Sequence, residues 1–244
     1  MVKKLILILF PLLLFAQNTQ IHHEINATIN PNESFIDVTD NITIPESQLE
    51  NGIEFKLHHA LEVAPDKMIT KLKGTVNAED IGMDKDDVGS ENALKLNVYK
   101  IKIPKRHSGD LELNIKYKGR IDSPVEQSEE NYARGFSESP GIIWDKGVYL
   151  AGSTYWVPHF NDELITFNLT TILPNNWKNV TVGKRTLDEV KDNIHIDKWE
   201  SPTPQEEVFL IAAPFTEYSY PMGAVTAYAF LRTPDEGLAN KYLE

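Results

Sequence analysis

Apolar and polar side chains alternate with a period of two along most of this chain. Ile25, Ala27 and Ile29 fall on one face of an extended segment. "PNES" then marks a turn, and Ile36, Val38, Ile42 and Ile44 return at alternate positions with Asp37, Thr39 and Thr43 opposite. Successive side chains of a strand point to opposite faces, so the pattern predicts a β-hairpin with one buried face. Ile53, Phe55 and Leu57 repeat it. The segments "ALKLNVYKIKIP" and "DLELNIKYKGRI" predict a second hairpin across "KRHSGD", with Leu111, Leu113, Ile115 and Tyr117 facing one way. Between Val98 and Tyr99 the apolar phase slips by one residue, which a β-bulge or a switch of faces would produce. From Asp122 to Gly152 the alternation is lost, and strand character resumes in "LITFNLTTILP", "NVTVGKR", "EEVFLIAAPF" and "VTAYAFLR". About nine strands and no fixed-period repeat predict an all-β domain: an antiparallel two-sheet sandwich or saddle with a short helix start at its C-terminal end. Ile36, Val38, Leu113, Ile115, Leu169 and Phe209 are the expected core.

The two ends break the pattern. Lys3 and Lys4 precede an apolar run from Leu5 to Phe15, followed by Ala16 and a polar stretch. The run is short of the roughly 20 apolar residues a bilayer span needs, so residues 1–16 read as a signal peptide rather than an anchor. A periplasmic or secreted bacterial location follows, with no membrane span once the leader is removed. At the other end, "TPDEGLANKYLE" resembles a helix start. Thr233 is the expected N-cap, Pro234 suits the first turn and Glu236 completes a capping box, with Leu238 and Tyr242 building one apolar face. An isolated segment of that length is marginal as a helix in water, so it is expected to fray.

Composition narrows the chemistry. A net charge of −12 with scattered acidic residues argues against nucleic acid as a partner. The absence of cysteine removes disulfides and thiol nucleophiles, leaving the core to supply stability. His23-Glu24 is not followed by a second histidine at the zinc-helix spacing, because position 27 is alanine. His22 and His23 should point to opposite faces of a strand, and the same is expected of His58 and His59. "AGSTYW" around Ser153 lacks the second glycine of a nucleophile elbow, and no phosphate-binding loop or dinucleotide fingerprint occurs. No catalytic, cofactor or metal-binding residues are therefore assigned. What remains is a dense aromatic stretch: Tyr132, Phe136, Trp144, Tyr149, Tyr155, Trp156 and Phe160. Such residues serve either packing or binding.

The order of several segments resembles the N-terminal β domain of the aminopeptidase N-like zinc metallopeptidases, the gluzincin family related to leukotriene hydrolase, in its divergent bacterial branch. Ile115, Tyr117 and Gly119 fit a strand ending in Tyr-x-Gly. Pro158 and Phe160 fit the following Phe-Pro-x-Phe segment. Phe167, Leu169, Pro174 and Trp177 fit a strand entering Pro-x-x-Trp; Val180, Val182 and Gly183 fit the next, and Pro202, Pro204, Phe209 and Leu210 the last. The family's acid or amide that holds a substrate amine aligns near Tyr149 or Leu150, and its arginine near Thr154, so that part of the pattern is missing. The family's zinc helix and Gly-x-Met-Glu-Asn loop are also missing here.

The resemblance implies a non-catalytic domain spanning 17–232, with 233–244 as the first turns of a catalytic domain that would carry the zinc. Its partners would be that catalytic domain, in the same longer chain, and a peptide substrate, with Tyr149, Tyr155, Trp156 and His159 forming a substrate-side loop. The alternative is a stand-alone periplasmic β-sandwich module that binds peptide or glycan.

Overall fold

The computed structural model describes residues 19–49, 52–77, 95–123, 141–160, 164–223 and 225–243, with backbone alone for 73–77. The expected signal peptide, Tyr132 and Phe136 lie outside the described residues. In chain order the strands are β1 (Ile21–Asn30), β2 (Phe35–Ile44), β3 (Ile53–His58), β4 (Leu61–Val63), β5 (Ile69–Asn77), β6 (Lys95–Ile101), β7 (Leu111–Arg120), β8 (Ile142–Trp144) and β9 (Gly147–Leu150). They continue with β10 (His159–Phe160), β11 (Ile165–Pro174), β12 (Lys178–Val180), β13 (Lys184–Lys191), β14 (Ile194–Gln205), β15 (Leu210–Ala213), β16 (Thr216–Met222) and β17 (Val225–Leu231). One helix, α1 (Glu236–Leu243), closes the sequence of elements.

The all-β expectation holds, but the sandwich is more divided than two sheets. A seven-stranded sheet runs β13-β14-β11-β1-β2-β7-β4. Two four-stranded sheets follow the orders β10-β3-β6-β5 and β12-β15-β9-β8, and β16 and β17 form a ribbon of their own. Pairing is antiparallel except at the centre of the large sheet, where β1 and β11 run parallel with Ile25 beside Leu169. One continuous apolar cluster joins the first three sheets. It includes Ile25, Ile36, Val38, Ile115 and Leu169 from the large sheet, Phe55 and Ile101 from the second, and Ile143 and Leu210 from the third. Phe209 is the exception among the expected core residues. It is half-buried, and its neighbours Val208 and Leu210 take the interior positions.

The first predicted hairpin forms as read, with Ala27 opposite Val38. The second does not. β7 pairs with β2 and β4, whereas β6 pairs with β3 and β5 in another sheet. β7 carries a continuous apolar row and β6 a shorter one at Tyr99 and Ile101, and separating them between layers lets the rows meet inside the core instead of lying side by side. The phase slip at Val98 is a switch of faces. β6 keeps an unbroken register with β3, the register shifts fall on β5, and Tyr99 stacks on Phe55 at 5.0 Å while Leu96 is buried on the other side. Strands β8 and β9 also lie in the stretch expected to be irregular. They are only three and four residues long, so no alternation accumulates.

Gly119, the glycine of the Tyr-x-Gly pattern, has a steric reason. A Cβ there would overlap the carbonyl of Ala60, where the chain turns into β4 and pairs Leu61 with Gly119. The core also holds polar groups. His23 Nδ1 and Asp40 Oδ2 lie 2.8 Å apart and both side chains are fully buried. Tyr117 lies close enough to sense that carboxylate: burial first, and then the Asp40 charge, push its phenol well above the ordinary range.

The ribbon and α1 form a second, smaller packing unit. Ala239 and Leu243 are buried against Ala229, with Tyr218, Ala227 and Leu231 beside them. The helix cap differs from the expected one. The carboxylate of Asp235 accepts the Leu238 N–H at 2.8 Å, and the Asp235 carbonyl accepts the first helical bond from Ala239, so Asp235 and not Thr233 is the N-cap. The buried stripe is Ala239 and Leu243, one residue on from the expected one, which leaves Leu238 and Tyr242 exposed, the latter at 71%. Arg185 ties the unit to the sandwich. Its guanidinium donates two hydrogen bonds to Glu217 of β16 and lies over the rings of Trp199 and Tyr228. The Glu217 hydrogen bonds hold the guanidinium's pKa above its usual value. Arg232 donates to the Lys146 carbonyl at 2.6 Å and lies over Phe215.

Candidate functional site

The site grows from a strained turn. Residues Gly152–Thr154 form one turn of 3-10 helix. Tyr155 ends it at φ 52, a left-handed conformation that is uncommon for a bulky residue. Three contacts hold it there. The Tyr155 N–H donates to the Gly152 carbonyl at 2.9 Å, its own carbonyl accepts the His58 N–H at 2.8 Å, and the Thr154 hydroxyl donates to the Ala151 carbonyl at 2.6 Å. Trp156 then runs into the interior, where its indole N–H donates to the Val208 carbonyl at 2.8 Å. Backbone strain of this kind persists where the surroundings over-determine it, and it clusters at binding and catalytic sites.

Between this turn, β10 and the segment Glu206–Val208 lies a cavity of about 370 Å³, near the lower end of small-molecule sites. Trp156, Val157, Pro158, Phe160 and Val208 form a buried apolar floor, and Tyr155, His159 and Ile165 are half-buried walls. Tyr155 and His159 meet edge to face with ring centroids 5.0 Å apart. Glu206 and Glu207 stand exposed at the mouth, and among the described residues the lining contains no lysine or arginine. Glu207 also accepts the Gly152 N–H at 2.5 Å, and a Cβ at Gly152 would overlap the Glu207 side chain. An apolar floor below carboxylates suits a ligand that is apolar at one end and cationic at the other.

Three of the four residues read as a substrate-side loop, Tyr155, Trp156 and His159, line this cavity together. Tyr149 does not. It sits on β9 opposite Ile211 of β15, is 45% exposed and lies outside the lining. The sequence reading missed Glu206, Glu207 and Ile165. The paired glutamates just before an apolar strand were the available signal, but only folding shows that "PQEEV" faces "GSTYW".

The histidines behave partly as expected. His22 and His23 take opposite faces: His22 Nδ1 lies 2.8 Å from the Thr166 hydroxyl, whereas His23 is in the core. His58 and His59 depart from strict alternation. β3 ends at His58 and the turn brings the two rings to 4.7 Å. Burial lowers the pKa of both His22 and His59. Among the described residues no three His, Asp or Glu side chains converge on a point that could hold a metal ion.

No family model and no curated relative matches the sequence. Solved structures do match. The M1 zinc metallopeptidase from Deinococcus radiodurans superposes with a TM-score of 0.56 at 16% identity, over 91% of this chain and 50% of that one. A mutant of the same enzyme bound to Tyr-Ser-Ala gives 0.54 at 15% identity, over 91% and 51%. A two-domain M1 zinc metallopeptidase mutant bound to L-arginine gives 0.53 at 16% identity, over 90% and 49%. At this identity the likeness shows a shared fold: the chain is built like about half of an M1 zinc metallopeptidase, and it spans about half the length of the solved chains it matches.

Proposed function

We propose that this chain is the non-catalytic N-terminal β domain of an exported zinc metallopeptidase of the aminopeptidase N-like kind. In this reading it packs beside a catalytic domain and shapes the access of peptide to it. The observation that carries the reading is the asymmetry of coverage, nine-tenths of this chain against half of the M1 chains. The exposed Leu238–Tyr242 face of α1 supports it, because it offers apolar surface for a following domain to cover. The described residues do not fit a zinc site, so the metal is assigned to the further domain and no chemical step is placed on this chain. Its own contribution is binding. The cavity between Tyr155, His159 and the Glu206–Glu207 mouth takes an apolar residue of the peptide with a positive charge nearby. The Tyr-Ser-Ala bound to an M1 enzyme combines an aromatic side chain with a neighbouring free amine in this way. Export rests on Lys3, Lys4 and the Leu5–Phe15 run.

An antibody raised against this chain tests the proposal in the source cells. The expected antigen is an exported product roughly twice the length of this chain, as the M1 coverage implies, carrying stoichiometric zinc and aminopeptidase activity. An antigen of about 27.7 kDa or less without zinc or activity would sink it. That result would favour the stand-alone periplasmic module, which the cavity also supports. Peptide is then the better ligand than glycan, because the Glu206 and Glu207 carboxylates offer a counter-charge to a peptide amine that a neutral sugar lacks.

A further inference from the structure

The sheet β12-β15-β9-β8 differs from the large sheet in being apolar on both faces. A sheet with one face in water alternates apolar and polar side chains. The large sheet does so along β2, with Asp37, Thr39 and Asn41 outside and Ile36, Val38 and Ile42 inside. In the smaller sheet the inner row is Ala212, Val148 and Ile143, side by side on β15, β9 and β8 and all buried in the core. The adjacent residues of the same strands, Ile211, Tyr149 and Ile142, form a row on the opposite face, which Val180 of β12 extends. Tyr149 is 45% exposed and Trp144, two residues on from Ile142 and on the same face, is 43% exposed, while the other three are half-buried. Apolar residues on both faces are the pattern of a sheet that is covered on both, and exposed apolar surface of this kind marks an interaction site.

Gly147 shows where α1 leaves the molecule. It stands two residues before Tyr149 on β9, so a side chain there would point to the same outer face. A Cβ at Gly147 would come within 2.8 Å of the Arg232 guanidinium. Arg232, which also donates to the Lys146 carbonyl, therefore lies over this face. Helix α1 begins four residues later at Glu236, with Leu238 and Tyr242 exposed. Two uncharged apolar surfaces thus flank the point from which a following domain would emerge, in a chain that matches half the length of M1 zinc metallopeptidases. We propose, on the peptidase reading given above, that the domain following α1 docks on the outer face of β12-β15-β9-β8, burying Trp144, Tyr149 and Ile211 together with Leu238 and Tyr242. Tyr149 precedes the Gly152–Thr154 turn of the cavity by three residues, so a domain seated here stands beside the cavity whose access it shares.

Hydroxyl-radical footprinting tests this by comparing the 244-residue chain with the longer zinc-bearing product expected in the source cells. Trp144 and Tyr149 should label readily in the 244-residue chain and lose most of that labelling in the longer product. Tyr149→Lys sets a charge in the middle of the apolar row. It should leave the denaturant midpoint of the 244-residue chain unchanged, because Tyr149 is exposed there, and should restore labelling of Trp144 in the longer product. Tyr149→Phe should keep Trp144 protected. Equal labelling of Trp144 and Tyr149 in the two unaltered chains would overturn the docking face and leave the peptidase reading standing, whereas a source-cell product no longer than this chain would overturn both. Labelling already absent in the 244-residue chain would mean that another segment of this chain covers the face, and it too would overturn the proposal. If Tyr149→Lys perturbed folding, the comparison of the unaltered chains decides the matter.

Discussion

The sandwich and the ribbon–helix unit are both β structure, yet they are held in different ways. In the sandwich, three sheets share one apolar cluster in which Ile25, Ile36, Phe55 and Leu169 are fully buried. In the ribbon–helix unit the buried set is Ala229, Ala239 and Leu243, and attachment to the sandwich relies on Arg185 with Glu217 and on Arg232 with the Lys146 carbonyl. A two-stranded ribbon alone is at best marginal in water. The difference teaches that the unit borrows its order: directional polar contacts aim it, while much of its own apolar surface is exposed. Large-to-small changes should therefore be felt globally in one region and locally in the other. Phe55→Ala should cost about 3–5 kcal/mol and lower the denaturant midpoint of the whole protein. Leu243→Ala should cost about 2–3 kcal/mol, visible in amide exchange of 216–243 with little change in that midpoint. A common global loss in both variants would erase the distinction.

The joint between the two regions is the next place to break the comparison. Arg185 is 12% exposed and Glu217 16%, so their paired hydrogen bonds are shielded from much of the solvent. Arg185→Ala should weaken docking of the ribbon by about 2 kcal/mol, raising exchange in β16 and β17 while β1 and β2 stay protected. Arg185→Lys should recover little, because a single ammonium cannot reproduce the planar two-bond fork or the stacking on Trp199 and Tyr228. A full rescue by lysine would show that charge alone holds the joint.

The same contrast explains how much was legible in the sequence. Alternation through Ile36, Val38, Ile42 and Ile44 gave both strand and buried face, because a half-buried strand writes its burial with a period of two. It could not say which strands pair. Apolar rows on β6 and β7 look alike whether they lie side by side or face each other across the core, and they face each other. Polar residues inside the core were also hidden. Asp40 lies on the same face as Val38 and Ile42, but its partner His23 belongs to another strand. The cavity was half legible. "STYW" announced aromatic residues near Pro158, whereas the glutamate mouth depends on a contact across 55 residues of chain between Gly152 and Glu207. At the helix, Thr233 and Asp235 are both competent caps, and the buried stripe of Ala239 and Leu243 favoured Asp235.

Acid and base sharpen the comparison at the charged seam inside the sandwich. Asp197 accepts hydrogen bonds from Thr171 and Asn179, but burial dominates and raises its carboxyl pKa. A raised acid pKa contributes stability that is present below the unfolded value and lost as pH rises through the folded one. Asp197→Asn should therefore stabilise the protein at neutral pH by on the order of 1 kcal/mol, with the gain shrinking in acid. Asp188 behaves oppositely. Burial pushes its carboxyl up, but hydrogen bonds from Lys178 and His195, with Arg185 nearby, outweigh burial and hold it below the usual range. Its stabilisation is present above the unfolded value and lost as pH falls through the folded one. Urea midpoints of Asp197→Asn, Asp188→Asn and the unaltered chain from neutral to acid pH would show it, and parallel profiles would refute it.

The smallest effect belongs to the helix cap. Asp235 accepts the Leu238 N–H through its carboxylate at 2.8 Å and the Ala239 N–H through its carbonyl at 3.0 Å. Replacement by alanine removes the first bond, leaves an unsatisfied donor at the positive end of α1 and costs about 1 kcal/mol. The eight-residue helix is too short to hold itself in water and depends on Ala239 and Leu243 against the ribbon. The loss should thus appear as roughly fivefold faster exchange at Leu238 and Ala239, with no change in β2 or β11. Thr233→Ala should do almost nothing, because the capping contacts come from Asp235. An equal loss in Thr233→Ala would restore the capping box that the sequence first suggested, and would place the boundary between sandwich and helix two residues earlier.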